Sequence, residues 1–68
     1  MKTLDARGLS CPAPVVMIRK AMASKEDKYQ IIVDNNTAKE NITRFVTHQG
    51  YNVSVTEEDG DITLDITK

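Results

Sequence analysis

Cys11 is the residue with the most evident chemistry in this sequence, because it is the single thiol and stands in a Cys-Pro-Ala-Pro stretch. Pro12 and Pro14 both fit the first turn of a helix, where the amide hydrogens that proline lacks have no intrahelical partner. With Pro12 at the first helical position, Cys11 becomes the N-cap. Unpaired amides and the positive end of the helix dipole favour a thiolate there, and the prolines stiffen the loop that holds it.

Neighbouring residues are expected to support this thiolate. Arg7 lies four residues upstream, and Arg19 and Lys20 follow within the predicted helix, so a positive local potential is expected. Gly8 is expected to supply the backbone freedom of a strand-to-helix turn.

A lone thiolate can attack a sulfur atom and hold it as a persulfide, or form a mixed disulfide with a partner. It cannot close an internal disulfide or run a two-cysteine redox cycle, and one Cys with one His falls short of a structural zinc site. Hydrolysis would need His48, the single imidazole, as its base. His48 equally suits a structural role in the last turn of a helix, and the alternative for Cys11 is a small buried hydrophobe.

The elements that would position Cys11 are predicted to alternate as β-α-β-α-β-β. Helical spacing of apolar residues indicates the helices, and β-branched or alternating residues indicate the strands. Thr37 and Glu40 are typical of a capping box, Gly50 of a helix stop, and Asp59-Gly60 of a tight turn. The predicted segments are strand 2–6, helix 15–23, strand 29–34, a helix from Thr37 to the stop at Gly50, and strands 51–56 and 61–67.

The last two strands alternate cleanly between apolar and polar residues, so one face of the sheet should face water. Both helices are therefore expected on the other face. The predicted fold class is α+β, a two-layer α/β sandwich with a four-stranded mixed sheet and two helices on one face. The length of 68 residues allows a single domain, 1–68.

Composition narrows the function classes. With 40% hydrophobic and 28% charged residues the chain is typical of folded proteins, and no apolar run is long enough for a membrane span. The N-terminus lacks the apolar core of a signal peptide, so a cytoplasmic location is expected. Six basic against three acidic residues in 1–28, and three against seven in 29–68, make the half with Cys11 positive. Three aromatic residues and a pI near 5.7 disfavour nucleic-acid binding.

The stretch from Leu4 to Val15, centred on Cys-Pro-Ala-Pro, resembles the signature of the TusA/SirA/YedF-like family. The resemblance extends over the whole chain and includes the order of the elements. A later group of residues resembles the N-terminal TusA-like domain of YedF more than TusA itself: Val33-Asp34-Asn35, Ala38, Glu40-Asn41, Arg44-Phe45 and Gly50.

The resemblance implies the sandwich fold and a sulfur carrier. Its motif cysteine, here Cys11, would accept sulfane sulfur from a cysteine desulfurase or another donor protein and pass it to an acceptor protein, toward tRNA thiolation or molybdenum cofactor assembly. YedF-like proteins imply a link to selenium metabolism and usually carry a second domain. The family also places Asp5 and Asp34 on the cysteine side, where the alternative roles are proton handling or partner docking. Each is first expected to cap a turn, Arg7-Gly8 and Asn35-Asn36 respectively.

Two hypotheses follow. The first is a sulfur-relay carrier of the sulfurtransferase family, with Cys11 as the reactive site and with five supporting residues: Arg7, Gly8, Pro12, Pro14 and Asp34. The second is a non-catalytic regulatory or protein-docking module with a structural Cys11. Neither calls for a cofactor, a metal, a nucleic acid or a membrane.

Overall fold

The computed structural model describes residues 2–10 and 13–68, with the backbone alone for Lys2. Cys11 and Pro12, and the predictions made for them, lie outside the described residues. The elements follow the predicted order: β1 (Lys2–Asp5), α1 (Ala13–Met22), β2 (Lys28–Val33), α2 (Asn36–His48), β3 (Asn52–Glu58) and β4 (Asp61–Thr67). Across this described part of the chain, neither helix is long and apolar enough to cross a membrane.

The four strands form one mixed sheet in the order β1-β2-β4-β3. β1 and β2 are parallel, and the other neighbours are antiparallel. In this register Leu4, Ile31, Leu64 and Val55 lie in one row across the sheet. Because β4 inserts between β2 and β3, the two central strands are β2 and β4, and β3 becomes an edge strand.

Both helices cover one face of the sheet, which confirms the predicted two-layer α+β sandwich. Alternate residues of the central strands are buried on this face: Tyr29, Ile31, Val33, Ile62, Leu64 and Ile66. The helices add Ile18, Ala21, Ala38, Ile42 and Val46. Full burial of one such Ile or Leu side chain contributes about 1.5–3 kcal/mol to the free energy of folding. Because a chain of this length has a small core, this cluster supplies much of the stability of the fold.

The predicted start of α2 is wrong by two residues. Asn35 is the N-cap, and its Oδ1 accepts the Ala38 amide hydrogen at 2.8 Å, so Thr37 lies inside the helix rather than capping it. Asn caps a helix at least as well as Thr, and the earlier cap lets α2 begin directly after β2. At the other end Gly50 has φ +90°, and the amides of Gly50 and Tyr51 donate to Thr47 and Val46, respectively. This is a Schellman motif, and it confirms the predicted stop.

The β3–β4 hairpin also confirms its predicted turn. Asp59 and Gly60 have φ of +52° and +84°, which a type I′ turn requires, and Glu58 pairs with Asp61 across it. Other boundaries differ slightly from the predicted ones: α1 covers Ala13–Met22, and β3 continues to Glu58. β1 and β2 each end one residue earlier than predicted.

Candidate functional site

The loop after β1 brings the chain from the sheet to α1. The Ala6 amide donates to the Ile32 carbonyl at 2.8 Å, which continues the β1–β2 pairing by one residue, and the Leu9 amide turns back to the Ala6 carbonyl at 3.3 Å. Gly8 has φ +78°, a backbone conformation that costs other residues about 1–2 kcal/mol. The expected backbone role of Gly8 therefore has a physical basis in this turn.

Asp34 ties this loop to the end of β2. Its Oδ2 accepts the Gly8 amide hydrogen at 2.8 Å, while its Oδ1 accepts from Asn35 Nδ2 at 3.3 Å. Neither contact is the expected cap of an Asn35-Asn36 turn, because the second joins two side chains and Asn36 already lies in α2. The first joins residues 26 apart in sequence and fixes the loop against the same end of the sheet from which α2 begins.

Arg7 is engaged by two carboxylates. Its Nη2 lies 2.9 Å from Asp5 Oδ2, and its Nη1 lies 3.1 Å from Asp61 Oδ2. The Arg7 side-chain and backbone hydrogen bonds lower the pKa of Asp5 to about 2, and the same side-chain bond raises the pKa of Arg7. All three side chains are about half exposed, so the pairs are screened by water. Arg7 therefore anchors the loop to β1 and β4, and its charge is balanced locally.

The start of α1 is held by a backbone turn and by packing. The Ala13 amide donates to the Ser10 carbonyl at 2.9 Å, so this donor is already engaged. Pro14 lies in the first turn, as predicted, and its side chain is fully buried. No acidic residue lies in this first turn, so no carboxylate there opposes the positive end of the helix dipole.

A shallow apolar depression lies beside this helix start. We call it the α1 patch, and it is lined by Leu9, Ala13, Val16, Met17 and Lys20. Leu9, Val16 and Met17 are half-buried, while Ala13 and Lys20 are exposed. Two basic residues, Arg19 and Lys20, lie in the last turn of α1. The patch was not predicted, because Leu9 joins α1 only through the fold of the loop.

His48 is not brought to this site. It lies in the last turn of α2, while the first turn of α2 follows Asp34, whose carboxylate binds Gly8. At about 1.5 Å per residue, a helix of 13 residues separates its two ends by about 18 Å. His48 is exposed and lies beside Arg44 and Val55 on a different surface. The geometry therefore does not support His48 as a base for a group carried by the loop.

Comparisons with known proteins agree with this fold. Residues 2–68 match the family model described as "Sulfurtransferase TusA". A protein of Methanocaldococcus jannaschii named "Putative sulfur carrier protein" is 38% identical over 60 residues, which cover 85% of this chain and 80% of that protein. The crystal structure of a SirA-like protein from Desulfitobacterium hafniense has a TM-score of 0.92 and 32% identity, covering 98% of this chain and 96% of that one. The chain belongs to the TusA family.

Proposed function

We propose that this protein is a sulfur-relay carrier that holds sulfane sulfur as a persulfide on Cys11. The observation that carries the proposal is membership of the TusA sulfurtransferase family over residues 2–68, in a chain whose single thiol stands in the Cys-Pro-Ala-Pro motif. The M. jannaschii relative, named as a sulfur carrier, supports the same role. A carrier needs one nucleophilic sulfur and no second thiol that would discharge the persulfide within the chain.

The proposed transfer is an exchange between sulfur atoms with no net oxidation. The Cys11 thiolate attacks the terminal sulfur of a persulfide on the donor protein. The donor S–S bond breaks, a new S–S bond forms at Cys11, and the electron pair leaves on the donor thiolate, which takes up a proton or stays ionised. In the second step a nucleophile of the acceptor protein attacks the terminal sulfur, and the Cys11 thiolate is regenerated.

The described residues around position 11 support this role by holding the loop and exposing a surface. The hydrogen bond between Gly8 and Asp34 fixes one side of the loop, and the buried Pro14 side chain packs the start of α1 against the core. The α1 patch, apolar with a basic edge at Lys20, would contact a protein partner during transfer. We propose a cysteine desulfurase as the donor and a cytoplasmic acceptor protein. The sulfur-or-selenium choice and the YedF branch stay predictions from the resemblance.

The test is persulfide formation measured by intact mass. The protein is incubated with a cysteine desulfurase and cysteine, and the reaction is quenched without reductant. One sulfur atom should add about 32 Da to the wild type, and dithiothreitol should remove it. Cys11→Ser should show no adduct, because the chain has no other cysteine.

A displaced thiol gives the matched control. Ser10→Cys combined with Cys11→Ser keeps one cysteine in the same loop but moves it by one residue, so its rate of sulfur acceptance should fall below that of the wild type. Wild-type protein that gains no adduct would refute the carrier proposal and favour the docking module with a structural cysteine. Equal rates for the native and displaced thiols would show that the motif position has no special role.

A further inference from the structure

The outer edge of β3 is an open strand with little to block it. β3 pairs only with β4 in the sheet order, and its seven residues follow one uninterrupted register from Asn52–Thr67 to Glu58–Asp61. Edge strands are commonly protected by proline, lysine, a bulge or shortness. β3 has no proline, lysine or bulge, and its two glutamates stand together at one end.

The hairpin sets which backbone groups face outward. A two-residue type I′ turn closes on a hydrogen-bonded pair, here Glu58 with Asp61. Hydrogen-bonded and non-hydrogen-bonded pairs alternate along an antiparallel ladder. Val53, Val55 and Glu57 therefore turn their N–H and C=O groups away from β4, toward the open edge.

The same edge carries apolar surface beside a polar helix face. Among the described residues, Val55 is the large hydrophobic side chain that is exposed, at 42%. It shares a groove with one face of α2, lined by Lys39, Glu40, Thr43, Arg44, Thr47 and His48. Charges of both signs occur on this helix face, and Glu40 and Arg44 are one turn apart.

We propose that this edge binds a second copy of the chain, with the two β3 strands antiparallel about a two-fold axis at Val55. Val55 then faces Val55 of the other copy, and Val53 faces Glu57. On the other side of the sheet Ser54 faces Thr56, and Asn52 faces Glu58. No pair places like charges opposite each other, and the outward N–H and C=O groups of Val53, Val55 and Glu57 pair in full. Such a self-complementary contact is what a closed two-fold dimer requires.

The helices complete the contact. In a two-layer sandwich α2 lies over the β3–β4 pair, so a strand spacing of about 4.8 Å across the new edge puts the two α2 axes about 9–10 Å apart. That separation is normal for packed helices. The two-fold axis passes between the two α2 helices, level with the groove that contains Val55, so Glu40 of each copy lies within reach of Arg44 of the other. Two interchain ion pairs thus form beside the apolar contact at Val55.

The proposal is independent of the sulfur-carrier role. β1 lies at the far edge of the sheet, so the loop of residues 6–10 and the α1 patch stay uncovered in the dimer. Sulfur acceptance is therefore expected to be the same in monomer and dimer, and the failure of one proposal leaves the other standing.

The first experiment measures mass against concentration by sedimentation velocity, from about 10 µM to about 1 mM. The weight-average mass should rise from 7.6 kDa toward twice that value. Val55→Lys should remain monomeric, because it places two cations on the two-fold axis. Thr3→Lys is the matched control, because Thr3 is exposed on β1 at the other edge of the sheet. This variant should dimerise like the wild type.

The second experiment identifies the helix pairing. Glu40→Arg carries arginine at positions 40 and 44, and Arg44→Glu carries glutamate at both. Each variant alone places like charges opposite each other in the proposed dimer, so it should dimerise about tenfold more weakly than the wild type. An equimolar mixture should form a heterodimer, because each arginine then meets a glutamate of the other variant. An interaction within one helix could not produce this recovery on mixing.

Hydrogen exchange reports on the strand contact in the unaltered protein. The amides of Val53, Val55 and Glu57 should exchange more slowly as concentration rises, while those of β1 should not. A mass of 7.6 kDa at every concentration with unchanged β3 exchange would overturn the proposal. So would dimerisation that persists in Val55→Lys, or single charge variants that fail to recover on mixing.

Discussion

Asp34→Ala removes the contact that joins β2 to the loop before the cysteine motif. The Gly8 amide loses a carboxylate acceptor at 2.8 Å and turns to water. Hydrogen bonds to charged groups contribute about 1.5–3 kcal/mol when protected from solvent. Asp34 and Gly8 are both exposed, so the loss expected here is about 1 kcal/mol. That free energy corresponds to about a fivefold increase in the population of the open loop.

The loop itself gives the readout. The Leu9 amide, which donates to Ala6, should exchange with solvent about fivefold faster in Asp34→Ala, and the urea midpoint should fall. Asp34→Asn keeps an oxygen acceptor and should recover part of both effects. Persulfide formation at Cys11 should slow in Asp34→Ala, because the loop that leads to the thiol is less well held.

Asp65 supplies a matched control. Its Oδ1 accepts from Gln30 Nε2 at 3.0 Å on the outer face of the sheet, away from the loop. Asp65→Ala should cost similar stability but leave Leu9 exchange and sulfur acceptance unchanged. If Asp34→Ala changes neither of these two properties, or if Asp65→Ala changes both, Asp34 does not position the loop.

Three further predictions concern the loop and the core. The pKa of Asp5 is lowered from 3.8 to about 2 in the fold, so its stabilising contribution is present above about pH 4 and is lost as the pH falls through about 2; urea titrations should show this loss, and Asp5→Asn should abolish it. Gly8→Ala should lower the free energy of unfolding by about 1 kcal/mol through backbone strain alone, because nothing lies within 4 Å of an added Cβ. Gly60→Ala is its control and should lower the free energy of unfolding by the same amount without slowing sulfur acceptance. Ile42→Ala should lower the free energy of unfolding by about 2–5 kcal/mol, measured by urea denaturation, because this fully buried side chain leaves a cavity between α2 and the sheet.

The predictions that succeeded from sequence rest on local chemistry. Asp59-Gly60 and Gly50 adopt positive φ for reasons that hold within four or five residues, so the turn and the helix stop could be predicted. The alternation in the last two strands likewise predicts which face is wet, whatever the strand order. Thr37 failed because Asn35 offers an equally good cap two residues earlier, and local rules do not choose between two caps.

The site contacts were harder to predict because they join distant parts of the chain. Asp34 meets Gly8 only after β1 and β2 pair in parallel, and Arg7 meets Asp61 only because β4 lies in the middle of the sheet. Pro14 could be assigned to the first helical turn, but its full burial depends on how α1 packs. The motif predicts Cys11 as the reactive residue without any of these contacts, whereas the contacts that hold the neighbouring loop depend on the topology.

The strand order also explains how this small protein keeps two surfaces apart. Placing β4 at the centre sends β1 and β3 to opposite edges of a sheet only four strands wide. β1 feeds the loop that Asp34 holds, and the parallel β1–β2 pair leaves that loop at the end of the sheet where α2 begins. β3 is left with an open edge and an exposed Val55. In a sheet with the order β1-β2-β3-β4, the edge strand would be β4. Its apolar residues would then be exposed at the edge instead of the mostly polar residues of β3. The observed order therefore buries the most apolar hairpin strand and leaves at the edge the strand whose pairing groups suit a second copy.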